Sequence, residues 1–195
     1  MLVLTNPNTQ MILKGNKLTL RPYRYGDEEA LSVAANNIKV FNNVRDLFPH
    51  PYTLARAKEW VHFQISTDSQ QGTSFAIDVA GKVVGSIAIV PQTDILRVNA
   101  EIGYWLGEDY WGKGIITEAV RIMVGYTFAE FAEINRIFAG VLAHNVASMR
   151  VLEKNGFRLE AILKEAAIKN SIIEDDYLYA LLRKEAVQMQ HLWDK

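Results

Sequence analysis

The chain has 195 residues, of which 49% are apolar and 22% are charged, and its formal net charge is −1. This length and composition predict a soluble globular protein with a sizeable core. The near-neutral charge offers no basic surface for nucleic acid or an anionic membrane, so neither is expected as a direct partner. The absence of cysteine excludes disulfides, cysteine nucleophiles and thiolate metal sites.

The sequence also carries no evident targeting signal. Segment 1–7 lacks both a charged region and a long apolar core, so no signal peptide is predicted. No apolar run approaches the length needed to cross a membrane. We therefore expect a cytoplasmic protein.

Strands and helices are predicted in an irregular order. Residues 1–14 are compatible with an edge strand or with an arm. Beyond them, periodicity and turn signals predict a strand at 17–22, helices beginning near Gly26 and Thr53, a hairpin over 73–90, a strand at 99–106, a helix to about Phe131, a strand at 137–143, a helix at 145–155, strands at 157–168 and 172–183, and a helical tail at 184–193. This order predicts a single mixed α/β domain over residues 1–195, with its core at about 17–183 and no strict strand–helix alternation.

The most informative stretch is a loop between the strand at 99–106 and the helix that follows. Gly112 and Gly114 stand just before apolar residues that recur at helical spacing. Glycine lets a backbone approach a ligand closely, and the first turn of a helix offers unpaired N–H groups at the positive end of the helix dipole. The loop is therefore predicted to bind a phosphate or pyrophosphate.

Two nucleotide-binding patterns almost fit this loop, and both are rejected. The pattern GxxxxGK[ST] would begin at Gly107, but Gly114 stands where a hydroxyl must reach magnesium. Glu108 and Asp109 would also place negative charge near the phosphates. The pattern GxGxxG fails at Thr117. A helix start that binds nothing is the alternative, because short glycine motifs often occur by chance.

Several motifs in order resemble the GNAT superfamily of acyl-CoA-dependent N-acetyltransferases. Its signature (Gln/Arg)-x-x-Gly-x-(Gly/Ala) aligns with residues 111–116, where Gly114 matches while Trp111 and Ile116 depart. Three flanking segments resemble the branch of the ribosomal-protein Nα-acetyltransferases, namely 101–106, 145–157 and 176–183. The resemblance covers about 17–183 and implies a central, mostly antiparallel, splayed sheet flanked by helices.

The resemblance implies acetyl-CoA as co-substrate. Its pyrophosphate would lie on the loop amides, and its pantetheine arm would pair with the end of the preceding strand like an added strand. One backbone N–H of that strand would polarise the thioester carbonyl. Asn145 matches a pantetheine-binding position, although a helix cap explains it equally, and Lys113 either adds charge or is solvated. The implied contact positions are Tyr104, Trp105, Leu106, Trp111, Gly112, Lys113, Gly114, Ile115, Ile116, Thr117, Asn145, Leu152, Glu153 and Lys154.

The implied reaction is direct transfer of an acetyl group to an amine, which must lose a proton before attack. Glu101 is the candidate base, acting through water. Strand alternation places it on one face with Gly103 and Trp105, which suits a pocket. The alternative is a glutamate that is exposed or paired with a cation.

The leaving thiolate needs a proton or other stabilisation. Many relatives supply a tyrosine at the position of Leu152, so that acid is absent from this chain. The branch it resembles has a serine at the position of Ser148, which is the candidate acid here. A serine that bonds only to backbone is the alternative. Tyr177 and Tyr179 are reserve donors, one of which is expected in the core.

The acceptor is less constrained than the co-substrate. Four aromatic residues either wall the acceptor site or simply pack together, namely Phe41, Phe48, Tyr52 and Trp60. The acidic run at 174–176 either attracts a cationic amine or forms a solvated strand end. The four histidines lack metal-ligand spacing, so no metal is expected.

Three functions are therefore compatible with the sequence. The first is acetylation of a protein or peptide N-terminus, and the second is acetylation of a small amine such as a polyamine or an antibiotic. The third is a non-catalytic acyl-CoA sensor, which the leucine at position 152 permits. Dimers are common in the superfamily, and the apolar tail at 187–193 would suit a homodimer.

Overall fold

The computed structural model describes residues 11–66 and 73–193, with side chains through Gln188. Most of the segment that the sequence left open as strand or arm, residues 1–10, lies outside this description. The strands are β1 (Leu13–Lys14), β2 (Thr19–Arg21), β3 (Ser74–Val79), β4 (Lys82–Pro91), β5 (Asn99–Leu106), β6 (Arg136–Leu142), β7 (Arg158–Lys169) and β8 (Ile172–Leu182). The helices are α1 (Glu28–Ala35), α2 (Ile38–Phe41), α3 (Leu54–Ser66), α4 (Ile115–Glu130), α5 (Val146–Lys154) and α6 (Arg183–Trp193).

The eight strands form one sheet in the order β1-β2-β3-β4-β5-β6-β8-β7. Every neighbouring pair is antiparallel except β5–β6, which is parallel. The predicted fold class is therefore confirmed. The edge strand β1 lies at the end of the segment that the sequence left open as strand or arm. The structure adds the short helix α2, which lies in a stretch expected to be irregular.

The two faces of the sheet support different hydrophobic clusters. The larger cluster joins one face to α4 and α5, and the smaller one joins the other face to α1 and α3. Strand β5 contributes to both because successive side chains point to opposite faces. Ala100, Ile102 and Leu106 enter the larger cluster, whereas Trp105 packs against the smaller one.

Strands β5 and β6 separate soon after they meet. Their ladder consists of three pairs and ends at Glu101–Phe138. The ladder of β5 with β4 continues to Leu106, and that of β6 with β8 continues to Leu142. Both strands thus extend beyond their last mutual pair, and they form a V-shaped opening, here called the splay, between residues 102–106 and 139–142.

A buried ionic network secures the half of the sheet next to α1. Arg21 donates from both terminal nitrogens to Asp27, each at 2.8 Å, and from Nε to Asp78 at 2.7 Å. All three residues are buried. Breaking such a network by removing one partner leaves uncompensated charge inside the protein.

Replacement of Arg21 by alanine is therefore expected to lower the free energy of unfolding by about 3–5 kcal/mol, measured by urea denaturation. Arg97→Ala is the matched control, because the Arg97–Glu133 pair is 59% and 63% exposed. It should change stability by less than about 1 kcal/mol. Equal effects of the two substitutions would contradict a structural role for the network.

Candidate active site

The splay exposes backbone groups of β5 that a neighbouring strand would otherwise bind. Asn99 accepts a hydrogen bond from Gln92, and Gly107 donates one to Val84, so odd-numbered residues of β5 bond to β4. In an antiparallel ladder the intervening residues point their N–H and C=O groups the other way. Residues 102, 104 and 106 therefore direct these groups into the splay.

The glycine loop presents a row of amides beyond the end of β5. Gly112 and Gly114 adopt φ values of 72° and 75°, a region that glycine enters without steric cost. Gly114 is the N-cap of α4, and the first helical bond is Glu118 N–H to the Gly114 carbonyl at 3.1 Å. Among the residues that the structure describes, none accepts a hydrogen bond from the N–H groups of 112–117. This arrangement can bind an anion.

Two lysines lie at this loop. Lys17 donates from Nζ to the Lys113 carbonyl at 2.9 Å, although it is distant in sequence. Lys113 donates from Nζ to the Asp109 carbonyl at 2.7 Å, so its ammonium folds back on its own loop. Both side-chain contacts are exposed, and both charges add to the positive potential of the helix start.

The turn that carries Lys17 is fixed to α4 by a buried carboxylate. Glu118 accepts from the backbone N–H groups of Asn16, at 2.6 Å, and of Lys17, at 3.1 Å. A methyl group on Gly15 would lie 2.8 Å from Glu118 Oε1, so this close approach requires glycine. Glu118 therefore positions the turn beside the amide row.

Glu108, one of the two acidic residues of the loop, is bound by partners at the start of α2. Glu108 accepts from the Lys39 ammonium and from Asn37, the latter at 2.8 Å, and these bonds hold the pKa of Glu108 below its usual value.

Trp111 donates from its indole nitrogen to the Leu106 carbonyl at 2.7 Å. That bond ties the loop to the last residue of β5.

A pair of hydroxyls lies on the α5 side of the splay. Tyr104 OH and Ser148 Oγ are 2.9 Å apart, and either oxygen can donate. Burial raises the pKa of Tyr104 above its ordinary value of 10, and the bond with Ser148 offsets part of that rise. The phenol is consequently protonated at neutral pH. Ser148 thus bonds to a side chain, although its backbone-only alternative was equally open from sequence.

Asn145 has the cap role that the sequence allowed. Its side chain accepts from Ser148 N–H at 3.1 Å at the start of α5. At the other end of this helix, Asn155 donates to the carbonyls of Thr117 and Val151 at 3.1 and 2.8 Å. Helix α5 is thereby attached to the first turn of α4.

The other residues predicted to contact the co-substrate have mixed environments. Leu152 is fully buried in the larger cluster, and Ile115 is buried with it, while Ile116 packs against it. Glu153 accepts from Tyr179 OH at 2.9 Å, and Lys154 is exposed. Ile115, Ile116 and Leu152 therefore turn their side chains toward the core, which leaves their backbone groups as the available contacts.

Glu101 lies on the opposite face of the sheet from the hydroxyl pair. Its carboxylate accepts a hydrogen bond from Arg45, whose side chain is 74% exposed, whereas that of Glu101 is 20% exposed. Of the predicted aromatic wall, Phe48 packs on Trp105 and Tyr52 at ring-centroid distances of 5.3 and 4.9 Å. This places Phe48 on the same face of the sheet as Glu101.

The other two residues of the predicted aromatic wall, Phe41 and Trp60, have different packing partners. Phe41 stacks on His50 at 5.2 Å and lies 3.6 Å below the Lys169 ammonium. Trp60 contacts Tyr23 edge-to-face at 6.2 Å. Trp60 thus packs α3 against Tyr23, a residue of the smaller cluster that follows β2.

Three contacts of this site were not predicted from the sequence. The positions of Lys17, Arg45 and the Tyr104 hydroxyl depend on partners more than 40 residues away. The turn signal before Lys17 and the strand alternation that includes Tyr104 are both visible in the sequence, but neither pattern indicates which distant residue will be in contact.

Within the described part of the chain, no group of three or more His, Asp or Glu side chains could hold a metal ion, and no helix is long and apolar enough to cross a membrane.

Comparison with known proteins identifies the class to which this arrangement belongs. The family model for the acetyltransferase (GNAT) domain matches residues 17–158. The chain therefore belongs to the GNAT family, and its class of activity is N-acetyl transfer.

Individual relatives agree with this class. The chain is 32% identical to the probable N-acetyltransferase YjcK of Bacillus subtilis, over 91% of this chain and 100% of that protein. It is 35% identical to the ribosomal-protein-serine acetyltransferase of Escherichia coli, over 54% of this chain and 58% of that protein. The structure of Mycobacterium smegmatis RimJ in complex with CoA-disulfide has the same fold, with a TM-score of 0.75 at 24% identity, and covers 94% of this chain and 92% of that one.

Proposed function

We propose that the protein transfers an acetyl group from acetyl-CoA directly to a primary amine, with protein or peptide N-termini as the first acceptor class. The observation that carries the proposal is the early end of the β5–β6 ladder next to the glycine loop. The 35% identity to a ribosomal-protein-serine acetyltransferase supports the choice of acceptor.

The co-substrate would be held by backbone groups. The amides of 112–117 would bind the pyrophosphate, with Lys17 and Lys113 adding positive charge. The pantetheine amides would pair with the N–H and C=O groups of residues 102 and 104 and with the N–H of Leu106, since the Leu106 carbonyl already accepts from Trp111, as in strand addition. One of these N–H groups would polarise the thioester carbonyl. The side-chain amide nitrogen of Asn145, whose oxygen caps α5, would donate to the same arm.

The acetyl transfer would use both faces of the sheet. On one face, Glu101 would take a proton from the acceptor ammonium through a water molecule. The amine nitrogen would then form a bond to the carbonyl carbon as the carbon–sulfur bond breaks. It would lose its second proton to water, and the group that protonates the sulfur would regain a proton from water, which leaves a neutral amide and a free thiol. On the other face, Ser148 would give its proton to the departing sulfur, with Tyr104 donating to the serine oxygen. The Arg45 side chain is exposed and is free to leave the carboxylate as the acceptor enters.

Gly114→Val is expected to weaken CoA binding by tenfold or more, which is about 1.4 kcal/mol. A β-branched residue at φ 75° is strained, and the amides of the loop would move. Calorimetric titration with CoA measures the effect. Gly125→Ala is the control in the same helix, because a methyl group there meets nothing within 4 Å. Normal CoA affinity in Gly114→Val would contradict the loop's role.

Glu101→Gln is expected to lower kcat by about 10²-fold and to leave CoA affinity nearly unchanged, because the amide cannot accept the proton. Steady-state kinetics on a peptide with a free N-terminus, with CoA calorimetry alongside, tests this. Glu133→Gln removes an exposed carboxylate distant from the splay and should change neither quantity. Unchanged kcat in Glu101→Gln would remove this residue from the mechanism.

Ser148→Ala is expected to lower kcat by about 10²-fold, and Tyr104→Phe by a smaller factor. Because the two hydroxyls would act as one donor, the double substitution should be no slower than Ser148→Ala alone. The measurement is a double-mutant cycle in kcat at saturating acetyl-CoA. Fully additive losses would show that the hydroxyls act independently and would contradict the donor pair.

A further inference from the structure

On the face of the splay that carries Glu101, two glycines, one on β5 and one on β6, leave a position without side chains. In the parallel ladder each β5 residue pairs with the β6 residue 37 positions later, from Asn99–Arg136 to Glu101–Phe138. Continued past the last pair, that register places Gly103 opposite Gly140. A methyl group on Gly103 would meet nothing within 4 Å. The two glycines therefore leave an open floor just beyond the end of the ladder.

A carboxylate lies over this floor. A methyl group on Gly140 would lie 2.9 Å from Asp176 Oδ2 and 3.0 Å from Oδ1. Asp176 pairs with Leu142 in the β6–β8 ladder, two residues beyond Gly140 on the same face. The Asp176 carboxylate can therefore lie beside the splay because residue 140 is glycine and has no side chain there.

The acidic run at 174–176 divides according to strand alternation. Glu174 accepts from His144 Nδ1 at 2.8 Å, and Asp175 accepts from the Lys164 ammonium at 2.8 Å and from Glu165 N–H at 3.0 Å. Asp176 is partly buried, and its carboxylate makes no hydrogen bond or ion pair with any side chain or backbone group that the structure describes. It differs in this respect from both neighbours and from Glu101, which is paired with Arg45.

The unpaired state of Asp176 has a direct physical consequence. Removing a carboxylate from water is unfavourable unless a cation or a donor compensates it. Glu101 has such a cation in Arg45, and Asp175 has one in Lys164. A ligand that brings an ammonium group to the floor between Gly103 and Gly140 would supply the missing partner of Asp176.

We infer that Asp176 is the residue that binds the acceptor's ammonium group at the splay and that it selects cationic primary amines over neutral molecules of the same shape. This role is one of binding and specificity, and proton removal is assigned to Glu101. The inference rests on the proposed acetyl transfer only in taking the ligand to be the acceptor.

The test uses equilibrium binding to the full chain saturated with CoA, so that no turnover is required. Two matched pairs of probes are titrated and followed by protein NMR. The first pair is the peptide Ser-Ala-Ala-Ala with a free N-terminus and the same peptide with hydrogen in place of its amino group. The second pair is n-butylamine and n-butanol. The wild-type protein is expected to prefer the ammonium member of at least one pair by about tenfold, the effect of one charge-assisted hydrogen bond.

Asp176→Asn is expected to abolish this preference while CoA affinity stays unchanged. Gly140→Ala should reduce the preference, because the carboxylate must move away from the added methyl group. Asp175→Asn is the matched control, since it removes the same charge from the opposite face of β8, and it should retain the preference. In turnover, Asp176→Asn should raise KM about tenfold with little change in kcat, whereas Glu101→Gln acts on kcat.

The results separate the inference from the proposed function. A wild-type protein without preference for the ammonium probe, or a preference that survives in Asp176→Asn, would overturn the assignment of Asp176 even if acetyl transfer is measured. A preference that depends on Asp176, together with no acetylation of any amine, would instead refute the proposed function and leave the ammonium site standing.

Discussion

The end of the β5–β6 ladder at Glu101–Phe138 is the constraint on which the rest of the site depends. Two parallel strands that separate while still paired to their outer neighbours leave a row of backbone donors and acceptors between them. Backbone donors and acceptors that have no strand partner are available to bind a ligand. An extended ligand that carries amides of its own supplies partners for them with little rearrangement of the protein, which is how the splay suits a pantetheine arm.

The splay also places the candidate proton acceptor and the candidate proton donors on opposite faces of the sheet. Alternation along β5 sends Tyr104 toward α5, where it meets Ser148, and sends Glu101 toward the loop that carries Arg45. A group held in the plane of the sheet is then open to a proton acceptor from one side and to a proton donor from the other. Asp176 lies on the same face as Glu101, because its β6 partner Leu142 has its side chain on that face of the sheet.

The glycine loop is held in place before any ligand arrives. Trp111 fixes it to the end of β5, and Glu118 fixes the turn of Lys17 to the first turns of α4. Asn155 attaches α5 to that same part of α4. A preorganised row of amides loses little conformational entropy on binding an anion, so more of the interaction energy is available for affinity.

The sequence predicted those features that depend on local pattern. The bounds of β5, the start of α4 at the glycines and the division of β5 between two faces follow from alternation and helical spacing. The Asn145 cap follows from residue type. Contacts across the fold could not be read in this way. The partner of Glu101 lies 56 residues earlier in an irregular loop, and the Tyr104–Ser148 bond joins positions 44 apart.

The acidic run at 174–176 shows the same limit. Its composition allowed attraction of a cationic amine but favoured a solvated strand end. Only the register of β8 on β6, and the absence of a side chain at Gly140, distinguish Asp176 from its neighbours.

Hydrogen–deuterium exchange of the whole chain with and without CoA tests the central claim most directly. The account predicts that CoA slows exchange in two segments, the amides of 112–117 and the splay-facing amides among 102–106, while exchange at the tip of the β7–β8 hairpin, residues 169–174, is unchanged. Saturating CoA that leaves both segments at their original exchange rates, or that protects only other parts of the chain, would contradict it.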